Sequence, residues 1–359
     1  MKDDKSFKLL AGKILLFTFP IPILVIMSVV VDPFKIYRQY DDYDRDNFVP
    51  LNRELVCLKL YERNKKAMGY DSFIFGNSRS QAFKVNNWKA FLPANSKPFH
   101  FDGAGGGIYG IHNRIRYIDQ SGGRLDNALV IVDQLSLTST KNAKGHHFIS
   151  PPELSNESPL AFYSEFTKPL LNIRFVTGYI DYSMFATHRN YMSKLIYNQK
   201  YPNVGDSRTG DVYYGADRQI FEDSKGYYQA QINKGTFYDR AKRVAMSKPV
   251  TQDEKELLFD IKKYFNKHHT DYRIVVCPLY DQKPLGDDHV QLLHSVFGAE
   301  SVYDYSGVNK FTQSIHNYYE DSHFRPKVAD EIMKEIYSGR RLKSVSGVTS
   351  VSHPGKEGR

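Results

Sequence analysis

An uncharged apolar run, Ile14 to Val31 (ILLFTFPIPILVIMSVVV), opens the pattern along the chain. Its length suits a membrane span, more so with Leu9 to Gly12 added. Lys2, Lys5, Lys8 and Lys13 precede it, which predicts a cytoplasmic N-terminus and an exported body. A secretory leader would end in a small-residue cleavage site, and Val29-Val30-Val31-Asp32-Pro33 offers none, so the run reads as an uncleaved anchor. Pro20 and Pro22 distort such a helix but are tolerated in spans.

Beyond the run, Asp32 to Val49 is polar and aromatic and reads as a linker. Leu55, Leu58, Leu60 and Tyr61 give Arg53 to Met68 the apolar face of a helix. Strand-like and helix-like segments then alternate. Phe73 to Phe75, Pro98 to Phe101, Ala128 to Val132, Ile274 to Cys277 and Ser301 to Tyr303 read as strands. Ile108 to Gln120, Glu254 to His268, Asp288 to Phe297 and Lys327 to Tyr337 read as helices. ALVIV at 128–132 is apolar throughout, as a strand buried on both faces requires. Such alternation predicts an α/β fold, a three-layer doubly wound parallel sheet with helices on both faces. The stretch from about 139 to 250 breaks the rhythm. It is rich in Tyr, Asn, Gly and Ser, has short helical pieces such as Tyr191 to Ile196, and reads as an insertion forming a lid or substrate wall. The expected organisation is an anchor over 1–31, a linker and helix over 32–70, an α/β domain over 71–338 and a disordered tail over 339–359.

The 359 residues, 41% of them hydrophobic, suffice for one large core or two modest ones. The net charge of +9 invites an anionic partner. No RNA-binding signature, zinc-ligand spacing or long basic run accompanies it, so nucleic acid is not expected. Cys57 and Cys277 are the two cysteines, and Cys277 in YRIVVCPLY reads as a buried free thiol. With no CxxC and no Cys/His cluster, neither redox nor zinc chemistry is signalled. The pairs His146-His147 and His268-His269, and His289, do not predict a metal site, and no cofactor is expected.

Three segments could carry chemistry. In FGNSRS a strand ends on Gly76, and Ser78 comes next but one on the turn, where a hydroxyl can stand at the sheet edge near helix N-terminal amides; Ser80 is the alternative serine. DGAGGGIYG, Asp102 to Gly110, comes after the next strand, and its glycines let backbone amides approach a ligand. Residues 105–110 also fit GxGxxG, with Asp133 at the end of the third strand, so a dinucleotide-binding domain competes; the export signal argues against it. Near the end, YYEDSHFRP places Glu320 and Asp321 three and two positions before His323, where a carboxylate can orient an imidazole as general base.

The order of FGNSRS, DGAGGG and YYEDSHFRP along an αβ chain resembles the SGNH (GDSL-like) hydrolases. With its N-terminal anchor the chain looks like the subgroup linked to O-acylation of bacterial cell-surface polysaccharides. The resemblance implies an SGNH/flavodoxin-like fold and a serine esterase or O-acetyltransferase held on the cytoplasmic (inner) membrane, its body extracytoplasmic or periplasmic. The implied partners are the polysaccharide and a membrane-bound O-acyltransferase. Carried over by position, Ser78 is the nucleophile, His323 the base, Glu320 or Asp321 its carboxylate, and Gly106 or its neighbour Gly105 an oxyanion donor. The family's Gly-X-Asn-Asp block is missing: Asp133-Gln134-Leu135-Ser136 comes after ALVIV. Gln134, Asn77 or a main-chain amide would have to replace its asparagine; otherwise catalysis is weak, or the protein is a glycan-binding scaffold.

Overall fold

The structure is a computed structural model and describes residues 2–18, 20–44, 47–193, 195–198, 200–240 and 248–345. Its helices are α1 (Lys2–Thr18), α2 (Pro20–Val31), α3 (Arg53–Met68), α4 (Val85–Lys89), α5 (Ile108–Gln120), α6 (Gln134–Thr138), α7 (Pro152–Ser155), α8 (Pro159–Leu170), α9 (Ile173–Phe185), α10 (Gly215–Glu222), α11 (Ser224–Asn233), α12 (Gln252–His268), α13 (Asp287–Phe297) and α14 (Pro326–Val345). Its strands are β1 (Ser72–Gly76), β2 (Pro98–Asp102), β3 (Asn127–Val132), β4 (Val204–Gly205), β5 (Val212–Tyr213), β6 (Asp271–Val276), β7 (Val302–Asp304), β8 (Tyr318–Glu320) and β9 (His323–Phe324).

Five strands form one parallel sheet in the order β2-β1-β3-β6-β7. The strand order reverses between β1 and β3, and a doubly wound sheet opens its ligand crevice at the carboxyl ends beside such a switch. Alternation along each strand feeds two cores. Phe73, Phe75, Ala128 and Val130 join residues of α3, α5, α12 and α13 on one face. Ile74, Leu129, Ile131 and Val275 join Trp88 of α4, Tyr227 and Tyr228 of α11 and the buried side of α14 on the other. The strands are apolar throughout because both of their faces are covered. Cys57 and Cys277 are both buried free thiols.

Four regions differ from the sequence expectation. The segment after α2 is no loose linker. Asp32 is buried and accepts hydrogen bonds from the Ile36, Tyr37 and Arg38 amides and the Tyr40 hydroxyl, while Phe34, Ile36, Tyr43 and Val49 are buried. The insertion is mostly helical, carrying α7 to α11, and a third core of Phe34, Phe162, Phe166, Phe175 and Met192 ties it to that segment; at 191–196 only a single 3-10 turn, Asn190–Met192, forms. Helix α14 runs to Val345, so the tail expected to be disordered from 339 begins helical; 346–359 lie outside the described residues. At the N-terminus, the apolar run is divided between α1 and α2, and position 19 lies outside the described residues. Among the described residues no helix is long and apolar enough to cross a membrane.

Candidate active site

Strand β1 ends at Gly76, where the chain turns back tightly against itself. A side chain there would stand 2.6 Å from Ser80 Cβ and 3.0 Å from the Ile131 carbonyl oxygen. The bare glycine lets the chain fold at once into a 3-10 turn, Ser78–Ala82, with Asn77 as its N-cap. Asn77 Oδ1 accepts from the Arg79 amide at 2.9 Å, and Asn77 Nδ2 donates to Asp133 at 2.9 Å. This turn puts Ser78 at the half-buried rim of the sheet's carboxyl edge and sends Ser80 inward.

The two serines have opposite fates. Ser80 is fully buried, and its hydroxyl donates to the Asn77 carbonyl and lies 2.9 Å from His100 Nε2. His100 Nδ1 in turn lies 3.0 Å from Asp211, and both side chains are fully buried. This is a Ser-His-Asp arrangement with no route to a substrate. Ser78 instead lines an open cleft of about 480 Å³, with His323 beside it. Ser78 Oγ lies 2.8 Å from His323 Nε2.

His323 comes from a two-stranded hairpin. β8 and β9 pair through an irregular register in which Glu320 opposes His323, so the carboxylate and the imidazole project together. His323 Nδ1 donates to Glu320 Oε1, and Glu320 Oε2 accepts from the Ser322 amide at 2.6 Å. With Nδ1 carrying its proton to Glu320, Nε2 faces the Ser78 hydroxyl as an acceptor. Burial alone would raise the Glu320 carboxyl; the bond and charge of His323 and the Ser322 amide outweigh it and hold it below the ordinary glutamate range. Asp321 goes the other way: burial and its neighbour Glu320 push it up. It faces the Ser322 hydroxyl at 3.3 Å rather than the imidazole.

The hairpin is pinned from two sides. Arg79 donates to the Ser322 carbonyl at 3.1 Å while paired with Asp133 at 2.8 Å, so the turn after Ser78 grips the turn before His323. From the insertion, Tyr227 and Tyr228 of α11 donate to the Tyr319 and Tyr318 carbonyls at 2.9 and 3.0 Å. Asp217 of α10 takes the Tyr319 hydroxyl and Arg325.

The oxyanion candidates separate. The Gly106 amide donates to the Gly103 carbonyl at 3.1 Å and is spent on that turn. Asn77 is held by Asp133, and Gln134 lies against His289 and the Gly286 amide. Gly105 lines the cleft with Ser78, has φ +62°, and its amide makes no hydrogen bond among the described residues. Asp133, where the family's block would begin, caps α6 and receives Arg79 and Asn77. The glycine loop lines a second cavity of about 310 Å³ with Glu54, Ser139 and Lys141, while a side chain on Gly107 would stand 2.2 Å from Ser139 Cβ and Gly110 looks onto the Glu54 carboxylate.

Sequence reasoning missed the ring of groups behind Ser78. Asp102 ends β2, fully buried, and receives Arg53 at 2.8 Å and Gln81 at 2.6 Å. Burial would raise its carboxyl, but Arg53 and His100 prevail and hold it at about 2. Gln81 passes the link on, accepting from Tyr214 at 2.7 Å, and Tyr214 sits beside the His323 ring with centroids 6.0 Å apart. Arg53 and Tyr214 both line the cleft. The one available signal was Asp102 in the DGAGGG segment; the network links it to Gln81 21 positions away and Gln81 to Tyr214 133 positions away, with no shared spacing. No known family model matches the chain, and no curated protein is detectably similar to it.

Proposed function

We propose that this protein is a serine-dependent esterase or acyltransferase acting on O-acyl groups, O-acetyl foremost, of a cell-surface glycan. The observation that carries the reading is the Ser78–His323–Glu320 relay opening onto a cleft. Ser78 Oγ attacks the acyl carbonyl and its proton passes to His323 Nε2, with Glu320 holding the imidazole and balancing its charge. The tetrahedral oxyanion would be met by backbone amides, and Ser78 and Gly105 are the candidate donors that line the cleft. His323 returns the proton to the departing alkoxide, leaving the acyl group on Ser78. A sugar hydroxyl or water then gives its proton to His323 and takes the acyl group, restoring the serine.

Several cleft residues suit a polyhydroxylated ligand: Tyr197, Tyr201, Asn198 and Asn203 offer aromatic faces and amides. The resemblance to the SGNH hydrolases supports the glycan and a membrane-bound O-acyltransferase as partners. The lysines before the apolar run support an inner-membrane anchor with the body outside the cytoplasm. A scaffold that kept the fold without the chemistry is favoured by the missing asparagine block, where Asp133-Gln134-Leu135-Ser136 stands after ALVIV, and the tyrosine-rich insertion would suit it.

A fluorophosphonate probe separates the two. The enzyme labels on Ser78 and a scaffold does not label. Ser78→Ala should abolish labelling and cut turnover of an acetyl ester by on the order of 10³–10⁶. Its melting should stay within about 1 kcal/mol of wild type, since one half-exposed hydroxyl is lost.

A further inference from the structure

We propose that the turn joining α8 to α9 enters the lipid bilayer beside α2, and that this second contact seats the cleft on the membrane surface. The inference rests on the anchor reading of residues 14–31.

The direction of α8 carries the argument. Tyr163 stacks on Tyr37 with ring centroids 5.6 Å apart, and one turn later Phe166 meets Phe34 at 5.7 Å. A turn beyond that, Leu170 shares an apolar crevice with Leu24 and Val31 of α2. Successive turns of α8 therefore meet successively earlier residues of the N-terminal segment, and the helix points back along α2. Leu24 lies seven positions before the end of α2, about 10 Å at 1.5 Å per residue. If α2 is in lipid, the α8–α9 turn reaches to roughly that depth.

The residues on that turn suit lipid. Leu171 and Ile173 are 69% and 71% exposed, side by side where a turn in water would be polar. Lys168 and Arg174 flank them on exposed positions, as long basic side chains do when their stems lie along apolar surface and their charges reach the headgroups. On α2 itself Ile26 and Val30 are 61% and 63% exposed, so the apolar surface continues from the helix to the turn.

The junction is built to hold this orientation. The Asp32 carboxylate gathers three backbone amides and the Tyr40 hydroxyl, and Arg38 donates to the Val29 and Val30 carbonyls that end α2. The chain leaving it forms part of the cleft wall, at Asp42, Asp44 and Asn47. A fixed helix exit thus sets the height and tilt of Ser78 above the lipid.

The test uses the full chain in vesicles of phosphatidylethanolamine and phosphatidylglycerol, with and without brominated acyl chains. Single cysteines are placed by Leu171→Cys, Ile173→Cys, Val30→Cys and, as a remote control, Phe221→Cys on α10, a residue 91% exposed. The native thiols do not interfere, since Cys57 and Cys277 are 0% and 1% exposed. Each site carries an environment-sensitive fluorophore. Brominated lipid should lower emission roughly twofold at 171, 173 and 30 and leave 221 unchanged. Quenching at 30 with 171 and 173 in water overturns this inference and leaves the anchor standing. A label at 30 that stays in water removes the anchor and the inference together. A blue shift at 171 and 173 without quenching means a protein covers the turn, a second copy or a membrane partner, and overturns the lipid assignment.

Discussion

At the residue scale the chemistry turns on which of two adjacent carboxylates serves His323. Glu320 touches the imidazole and the Ser322 amide, whereas Asp321 reaches the Ser322 hydroxyl and the Glu320 carboxylate but not the imidazole. Glu320→Gln keeps the shape but offers Nδ1 no anion, so the acetyl-ester kcat should fall on the order of 10²–10⁴. Asp321→Asn should fall by no more than about threefold, because its side chain does not touch the imidazole. Equal losses in the two variants would break the assignment. The pH dependence has a definite sign. Glu320 has a folded value below its ordinary 4.5, so its pairing stabilises the fold above that value and the contribution fades as pH falls through the lower one. Thermal melts of wild type and Glu320→Gln should therefore differ most at neutral pH and converge in acid. The triad was legible in the sequence because its signals are local: Ser78 two residues past Gly76, and Glu320 three before His323. The spacing leaned to Glu320, three residues before His323, and the irregular β8–β9 register sets that same residue opposite the imidazole. The spacing could not tell Gly105 from Gly106, since one turn bond to the Gly103 carbonyl decides it.

At the element scale, the site is a junction between the sheet edge and the insertion. The 3-10 turn after β1 faces two ways, presenting Ser78 outward and burying Ser80 against His100 and, through it, Asp211. Asp211 also accepts from the Val85 amide at 2.9 Å, so the buried trio staples the insertion to β2 and to the start of α4. Ser80→Ala should leave fluorophosphonate labelling of Ser78 intact while costing about 1–3 kcal/mol in denaturant melts, because the variant strands a fully buried His100 nitrogen. Loss of labelling with unchanged stability would reverse the roles of the two serines. The strands and the helices packed on them were readable because continuous apolar runs and 3.6-residue spacing are local properties. Arg53–Met68 and Ile108–Gln120 fall where the pattern puts them. The insertion was not readable to the same degree. Its helices are held by tyrosine hydroxyls on distant carbonyls, such as Tyr227 on Tyr319, and by aromatic stacking on Phe34, neither of which leaves a periodic trace. The segment after α2 was misread for a related reason. Asp32 works through amides four to six residues on, and nothing in a polar, aromatic stretch announces a carboxylate turned inward.

At the scale of the whole molecule, the segment after α2 is shared between the helix exit and the cleft wall. Asp32 fixes the exit of α2, the residues after it wall the cleft, and the α8–α9 helices pack back along that same exit. Under the proposed function, an enzyme anchored through that segment would meet its substrates at a membrane surface, where an acyl donor held by an integral membrane protein and a growing glycan could both reach Ser78. On the anchor reading, the side of the membrane on which the cleft lies depends on charge. Lys2, Lys5, Lys8 and Lys13 all precede the apolar run, and if that run anchors the protein as proposed, the basic residues would be retained in the cytoplasm. A phosphatase that folds only after export, fused behind Arg359 so that the whole chain is kept, should therefore be active, and replacing the four lysines with glutamate should reduce that activity sharply. An inactive fusion on the native chain, with the protein present in the membrane fraction, would place Ser78 in the cytoplasm. The cell-surface glycan would then be out of reach, while the relay of Ser78, His323 and Glu320 would still predict labelling of the serine. Labelling and topology thus fail independently: the first tests what the site can do, and the second tests what it can meet.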